Sequence, residues 1–361
     1  MNRINRQTNP KAIDLSRNEL HNDLPFSVSD LIERNNINFS IYNTELRLEK
    51  ALIEKYNCSK SEIHISNGVE DFLLSAFSRT IDGNLQLLLP KYSWGYYRVL
   101  SSKYGHEPRF YSVDDVSGLF KLDIDSLKEN IISILSKGKR PLVIINNPSN
   151  PTGGFTNVRA VYEIVAEFPS ALFIIDETYI CFTDSDYNPT KFMRRFPNIS
   201  VCRSMSKLYG ISALRVGYTF IGHEFAKELK IFDNYLGNNI LTDLIASECI
   251  RYDEVFLQKI TKVIDLKNHT HRNLTHPTIA NKIKAYQSKA SFILCKTDPR
   301  TVEPMYDYLL GNQLIIKVFD RHDMPAGFFR VSISSKEHHM HQLTKLINKF
   351  VNDNYDNIRN I

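Results

Sequence analysis

From Leu85 to Ile175 the chain alternates short runs that are apolar at every position with stretches of helical period. Leu85–Leu89 precedes a helical segment Tyr96–Tyr104, Pro141–Ile145 precedes Val158–Phe168, and Ala171–Ile175 follows. Strands apolar on both faces and separated by helices predict a mostly parallel sheet covered on each side, an α/β fold. Two of these strands end in polar pairs, Asn146-Asn147 and Asp176-Glu177, where open α/β sheets collect their ligands. From about Arg251 the pattern changes to longer helices around three short strand candidates, Phe292–Cys295, Leu314–Val318 and Phe328–Ile333, predicting a second, smaller α/β lobe. The apolar stripe in Leu343–Phe350 reads as the core face of a helix. The polar, helix-poor start, Met1–Leu24, reads as an arm laid across that lobe or a neighbour. The expected division is an arm and part of the small domain over 1–40, a large domain over 41–250 and a small C-terminal domain over 251–361.

A chain of 361 residues is long enough for two cores, and a hydrophobic fraction of 42% with 24% charged residues excludes a disordered or fibrous class. The formal charge of +5 is spread along the sequence, which argues against a nucleic-acid partner. No apolar run approaches the ~20 residues of a membrane span, and the polar start with Arg3 and Arg6 lacks the shape of a secretory signal. Five scattered cysteines form neither a CxxC pair nor a disulfide framework, so a cytoplasmic setting is expected. His338, His339 and His341 have no carboxylate pair at ligand spacing, and no metal is assigned.

Candidate chemistry centres on Ser204-Met205-Ser206-Lys207, with Arg215 eight residues beyond the lysine. The two hydroxyls and the guanidinium are suited to a phosphate dianion, which leaves Lys207 for covalent chemistry with an aldehyde; its bland alternative is a solvated surface amine. In Ile174-Ile175-Asp176-Glu177-Thr178-Tyr179 a carboxylate leaves an apolar strand. Asp176 there suits a protonated ring nitrogen, with Tyr179 donating to a neighbouring phenolate, or it caps a helix. Asn147-Pro148-Ser149-Asn150-Pro151-Thr152-Gly153 is a rigid turn projecting amide side chains. Ser66-Asn67-Gly68-Val69-Glu70 opens a helix whose free N–H groups suit a phosphate, and Tyr92 is an aromatic just past a strand.

In this order and spacing the segments resemble the fold-type I aminotransferases of class I/II, most closely the histidinol-phosphate aminotransferase branch. The resemblance runs from Leu15-Ser16-Arg17-Asn18-Glu19 to Phe329-Arg330-Val331-Ser332. It implies pyridoxal 5'-phosphate as cofactor, held by Lys207 as a Schiff base. Asp176 would meet the pyridine nitrogen, Tyr179 and Asn150 the ring oxygen, and Tyr92 would stack on the ring. Ser204, Ser206, Arg215 and the backbone at Gly68 and Val69 would hold the phosphate, completed by Tyr42 of a second subunit in a homodimer. Arg330 would grip the anionic end of the substrate, with Lys317 and Asn18 beside it. The reaction implied moves an amino group from an amino acid or amino-alcohol phosphate to a 2-oxo acid. The chain departs from the branch in carrying Lys317 for an arginine, Asn18-Glu19-Leu20-His21 for Asn-Glu-Asn-Pro, and Trp94-Gly95 behind the stacking tyrosine. Those changes touch the substrate side. They leave open a decarboxylase resembling threonine-phosphate decarboxylase, an amino-acid oxidase or cyclase, and, from another class, a binding protein that keeps the fold.

Overall fold

The computed structural model describes residues 12–79, 84–230 and 238–359, with side chains to residue 355. A seven-stranded sheet runs in the order Ile63–Ser66, Gly217–Ile221, Ile199–Ser204, Leu172–Asp176, Arg140–Asn146, Leu85–Pro90, Arg109–Tyr111. The last five strands pair in parallel, while Gly217–Ile221 runs antiparallel to both of its neighbours. The expected strands and helices of this region lie where the apolar runs put them, because strands covered on both faces have every side chain in a core. Leu142, Val143, Ile144, Leu172, Phe173 and Ile174 are all fully buried.

A second sheet, in the order Lys284–Ala285, Phe292–Lys296, Phe328–Ser332, Lys317–Val318, is antiparallel throughout. It packs with the C-terminal helix Glu337–Arg359, whose Leu343, Ile347 and Phe350 belong to the same core. The segment expected as one strand, Leu314–Val318, divides in two. Leu314 and Ile315 pair in parallel with Ile13 and Asp14 of the arm, while Lys317 and Val318 pair with Arg330 and Phe329. The arm therefore supplies a ladder partner to the first half, and the second half turns into the sheet. Leu15 and Leu20 of the arm are buried in the core of this lobe. Residues 1–11 lie outside the described residues.

The antiparallel strand Gly217–Ile221 follows from the short connection before it. Residues 205–216 hold only a one-turn helix, Met205–Leu208, and a 3-10 turn, Ser212–Leu214, instead of a crossover helix. This connection carries Lys207 back over the end of the sheet.

Candidate active site

Strand register sets the floor of the site. Asn146, Asp176 and Cys202 stand side by side at the carboxyl ends of three parallel strands. Beyond them, the Asn147 and Glu177 N–H groups still donate across the strands, to the Asp176 and Cys202 carbonyls, at 2.9 Å each. The Asp176 side chain is buried, and all its partners are donors. Its Oδ1 accepts from the Thr178 N–H at 3.0 Å and the Thr178 hydroxyl at 2.6 Å; its Oδ2 accepts from the Tyr97 hydroxyl at 2.5 Å. No α-helix follows, only the 3-10 turn Ile180–Phe182, so the helix-cap reading of Asp176 is not realised.

Ser204 caps the short helix that carries Lys207, accepting the Ser206 N–H at 3.2 Å. Lys207 Nζ donates to the Asn18 carbonyl at 2.8 Å and lies 5.6 Å from the centre of the Tyr179 ring. Burial and then the positive charge of Arg330 lower the amine from its ordinary 10.5 to about 8, against the opposing pull of Glu19. An amine with this environment reaches its neutral, nucleophilic form near physiological pH. Tyr179 accepts from Asn18 Nδ2 at 2.8 Å, and burial pushes its phenol up to about 12, so it remains a donor for a ligand oxygen.

Arg330 reaches this cluster from the second sheet. One terminal nitrogen donates to Asn150 Oδ1 at 2.5 Å and the other to the Ser16 carbonyl at 2.7 Å, with Phe292 and Phe319 flanking the guanidinium. Its Nε is buried with no hydrogen-bond partner, the mark of a donor waiting for a ligand. Lys317 stands directly opposite Arg330 in the ladder, so the two cations share a sheet face; burial and then Arg330 lower the Lys317 amine. Asn18 ties the arm to both lobes. Its N–H donates to Ser332 Oγ at 2.8 Å, the same hydroxyl donates to its Oδ1 at 2.7 Å, and its amide reaches Tyr179.

Of the residues expected to hold a phosphate, Gly68, Val69 and Arg215 come together. Gly68, at φ +82°, opens the helix Val69–Ser78, and a Cβ there would lie 2.8 Å from an Arg215 guanidinium nitrogen. Gly217 lets the next strand approach, since its Cβ would fall 2.8 Å from Val69 N. Arg215 donates to the Ser212 carbonyl at 3.2 Å and pairs with Glu70 at 3.3 Å, both ends of the pair about half exposed. A helix N-terminus facing an arginine with a close glycine approach is the donor set a phosphate requires. The cradle, the neutralisable Lys207 and the orphaned Arg330 Nε together fit a phosphorylated aldehyde cofactor and an anionic substrate.

Two expected residues stand apart. Tyr92 packs edge-on to Phe120, with ring centres 6.2 Å apart, outside the hydrogen-bonded cluster. Tyr42 is 72% exposed, beside exposed Phe39 and Ile41. Sequence reasoning missed Tyr97, Thr178, Ser16 and Ser332. The hydroxyl of Thr178, two residues after Asp176, was readable as a local turn donor. Tyr97 was readable only as a buried helix position, since nothing in the sequence links it to Asp176.

Residues 10–347 match the family model for aminotransferase class I and II. The histidinol-phosphate aminotransferase of Clostridium botulinum (strain Okra / Type B1) is 27% identical over 310 residues, covering 84% of this chain and 82% of that protein. The solved histidinol-phosphate aminotransferase from Clostridium acetobutylicum superposes with a TM-score of 0.81 at 21% identity, over 94% of this chain and 99% of that one. The Sinorhizobium meliloti histidinol-phosphate aminotransferase, solved in complex with pyridoxal-5'-phosphate, gives 0.77 at 19% identity, over 94% and 91%.

Proposed function

The chain belongs to the class I and II aminotransferases, pyridoxal-phosphate enzymes of fold type I, and from that premise we propose a role for each residue of the site and a class of substrate. Lys207 holds the cofactor's aldehyde covalently, Asp176 faces its ring nitrogen, and Tyr179 and Asn150 face its ring oxygen. Ser204, Ser206, Arg215 and the Gly68–Val69 backbone hold its phosphate. The observation that carries this reading is the convergence on the arm of segments far apart in sequence: Lys207 and Tyr179 meet Asn18, while Arg330, bonded to Asn150, meets Ser16.

Bound pyridoxal phosphate supplies an electron sink for the carbanion formed at the substrate's α carbon. The protein's share is binding and proton handling. Arg330, with Nε free and its guanidinium enclosed, takes the donor's carboxylate or phosphate, and Lys317 on the same face adds a second positive charge. Lys207 would also be the base that moves the α proton, since its lowered pKa of about 8 keeps a usable neutral fraction. The Asn18 carbonyl, 2.8 Å away, would hold the Lys207 amine over the site. The donor is an amino acid or amino-alcohol phosphate, with histidinol phosphate the first to try, and the acceptor is a 2-oxo acid.

The active unit in this reading is a homodimer. Exposed Phe39, Ile41 and Tyr42 form an apolar edge beyond what a monomer gains by showing, and Tyr42 of one subunit completes the phosphate site of the other. Absorbance spectra of the purified protein, before and after a panel of amino acids and histidinol phosphate, test the reading. A visible band that one amine converts, with stoichiometric consumption of 2-oxoglutarate, supports it. Carbon dioxide release without consumption of the keto acid would replace it with a decarboxylase, and absence of any band with added pyridoxal phosphate would remove it.

A further inference from the structure

The Asp176 carboxylate holds three hydrogen bonds before any ligand arrives. Two come from Thr178, two residues along the chain, and both fall on Oδ1. The third comes from a different element: Tyr97, in the first turn of the helix Tyr96–Lys103, donates to Oδ2 at 2.5 Å. Tyr97 is fully buried, and its ring is fixed from the side by Trp94, with centres 5.7 Å apart and planes at 77°. Burial, and next the charge of Asp176, push its phenol well above the ordinary value of 10.0, so it donates at every working pH. Among the described residues, Cys202, Glu177 and Tyr179 also interact with the carboxylate, and Tyr111 interacts with Tyr97. Burial raises both the Cys202 thiol and Tyr179, which leaves them neutral, and Glu177 is engaged by Arg203 and Tyr187. Tyr111 is committed to the Ile144 carbonyl at 2.8 Å.

An ionised carboxylate offers about four acceptor positions, so three donors leave one, on the oxygen that Tyr97 orients. In a buried pair of a carboxylate and a ring nitrogen, the proton rests on the stronger base. Burial alone strengthens the carboxylate as a base and draws the proton to it, whereas two or three donated hydrogen bonds hold it ionised. We propose that Tyr97 is a positioning residue of this site: its hydroxyl fixes the Asp176 carboxylate and leaves the remaining acceptor position turned toward the cofactor, so that the ring nitrogen keeps its partner and its proton. This rests on the reading that Asp176 meets the ring nitrogen. Tyr97 itself touches neither cofactor nor substrate.

The test uses full-length protein loaded with pyridoxal phosphate labelled with nitrogen-15 in the ring, and reads the nitrogen chemical shift, which separates protonated from unprotonated rings regardless of turnover. The wild type is expected at the protonated position. Tyr97→Phe, checked for folding by its thermal melt, is expected to move toward the unprotonated position and to lose about tenfold in kcat, the effect of one hydrogen bond to a charged group. Thr178→Val strips a different donor while leaving Tyr97 in place, and is expected to move the signal in the same direction. A wild-type signal in folded Tyr97→Phe overturns the proposal. Should that variant not fold, a wild-type signal in Thr178→Val overturns the donor argument on which the proposal stands. An unprotonated ring in the wild type overturns instead the underlying assignment of Asp176.

Discussion

Two lysines, the half-buried Lys207 and the buried Lys267, make an instructive pair. Burial is the main cause that lowers each of them from 10.5 to about 8, and each donates to a backbone carbonyl, Lys207 to Asn18 at 2.8 Å and Lys267 to Ala290 at 3.1 Å. By acidity alone they are interchangeable. Their surroundings are not. Lys267 sits within the long helix Asp253–Leu274, 4% exposed, and the next group acting on it is the cation Lys289. Lys207 stands over the carboxyl end of the sheet, facing the Tyr179 ring, with Arg330 and Arg215 raising the local positive charge. A perturbed lysine marks a site only where acceptors, donors and a ligand's path converge on it.

The sharpest way to break that contrast is to delete each amine. Lys207→Ala is expected to lower kcat by on the order of 10⁴-fold, the scale of a positioned proton-transfer group. Lys267→Met, which keeps the volume, is expected to leave kcat within about threefold and to lower thermal stability by roughly 1–3 kcal/mol through the unpaired Ala290 carbonyl. Equal losses of activity would erase the distinction. Next in size is Arg330→Lys. It keeps the charge but loses the fork that binds Asn150, Ser16 and the substrate together, and is expected to cut kcat/KM by about 10–100-fold while the visible spectrum of the loaded protein stays unchanged.

A smaller effect is read with pH. Because the Lys207 amine loses its proton at about 8 in the fold, cofactor capture by the stripped protein should be slow below that value and accelerate as pH rises through it. Stopped-flow mixing with pyridoxal phosphate across that range follows this directly, and a midpoint near the ordinary lysine value would contradict the enclosed setting. Smallest is Asn18→Ala, which removes the side-chain bonds to Tyr179 and Ser332. At about 1 kcal/mol the lost Tyr179 bond should cost several-fold in kcat/KM, and the lost Ser332 bond should make the arm more open to limited proteolysis.

The same contrast explains what the sequence could be read to contain. The cofactor side is built from short motifs at the ends of buried strands. The apolar runs Pro141–Ile145 and Ala171–Ile175 locate the sheet, and strand register then delivers Asn146 and Asp176 to one edge. The lysine loop is equally local, since a short antiparallel return fixes it between Ser204 and Gly217. The side proposed to take the substrate is assembled from distant pieces. Asn18 meets Ser332 across 314 positions and Asn150 meets Arg330 across 180, contacts that no local period encodes. The same holds for Tyr97 and Asp176, and for the segment Leu314–Val318, whose division depends on an arm that pairs with only its first half. Local patterning fixes which residues lie at an element's end, while tertiary pairing decides what they meet there.

Lys207 is the lysine proposed to bind the cofactor's aldehyde. Borohydride reduction of the protein loaded with pyridoxal phosphate, followed by peptide mass mapping, tests it without depending on turnover or on knowing the substrate. One stable pyridoxyl adduct per chain, on the peptide containing Lys207, is the expected result. An adduct on Lys267 or any other lysine, or no adduct from a protein that binds the cofactor, would contradict it.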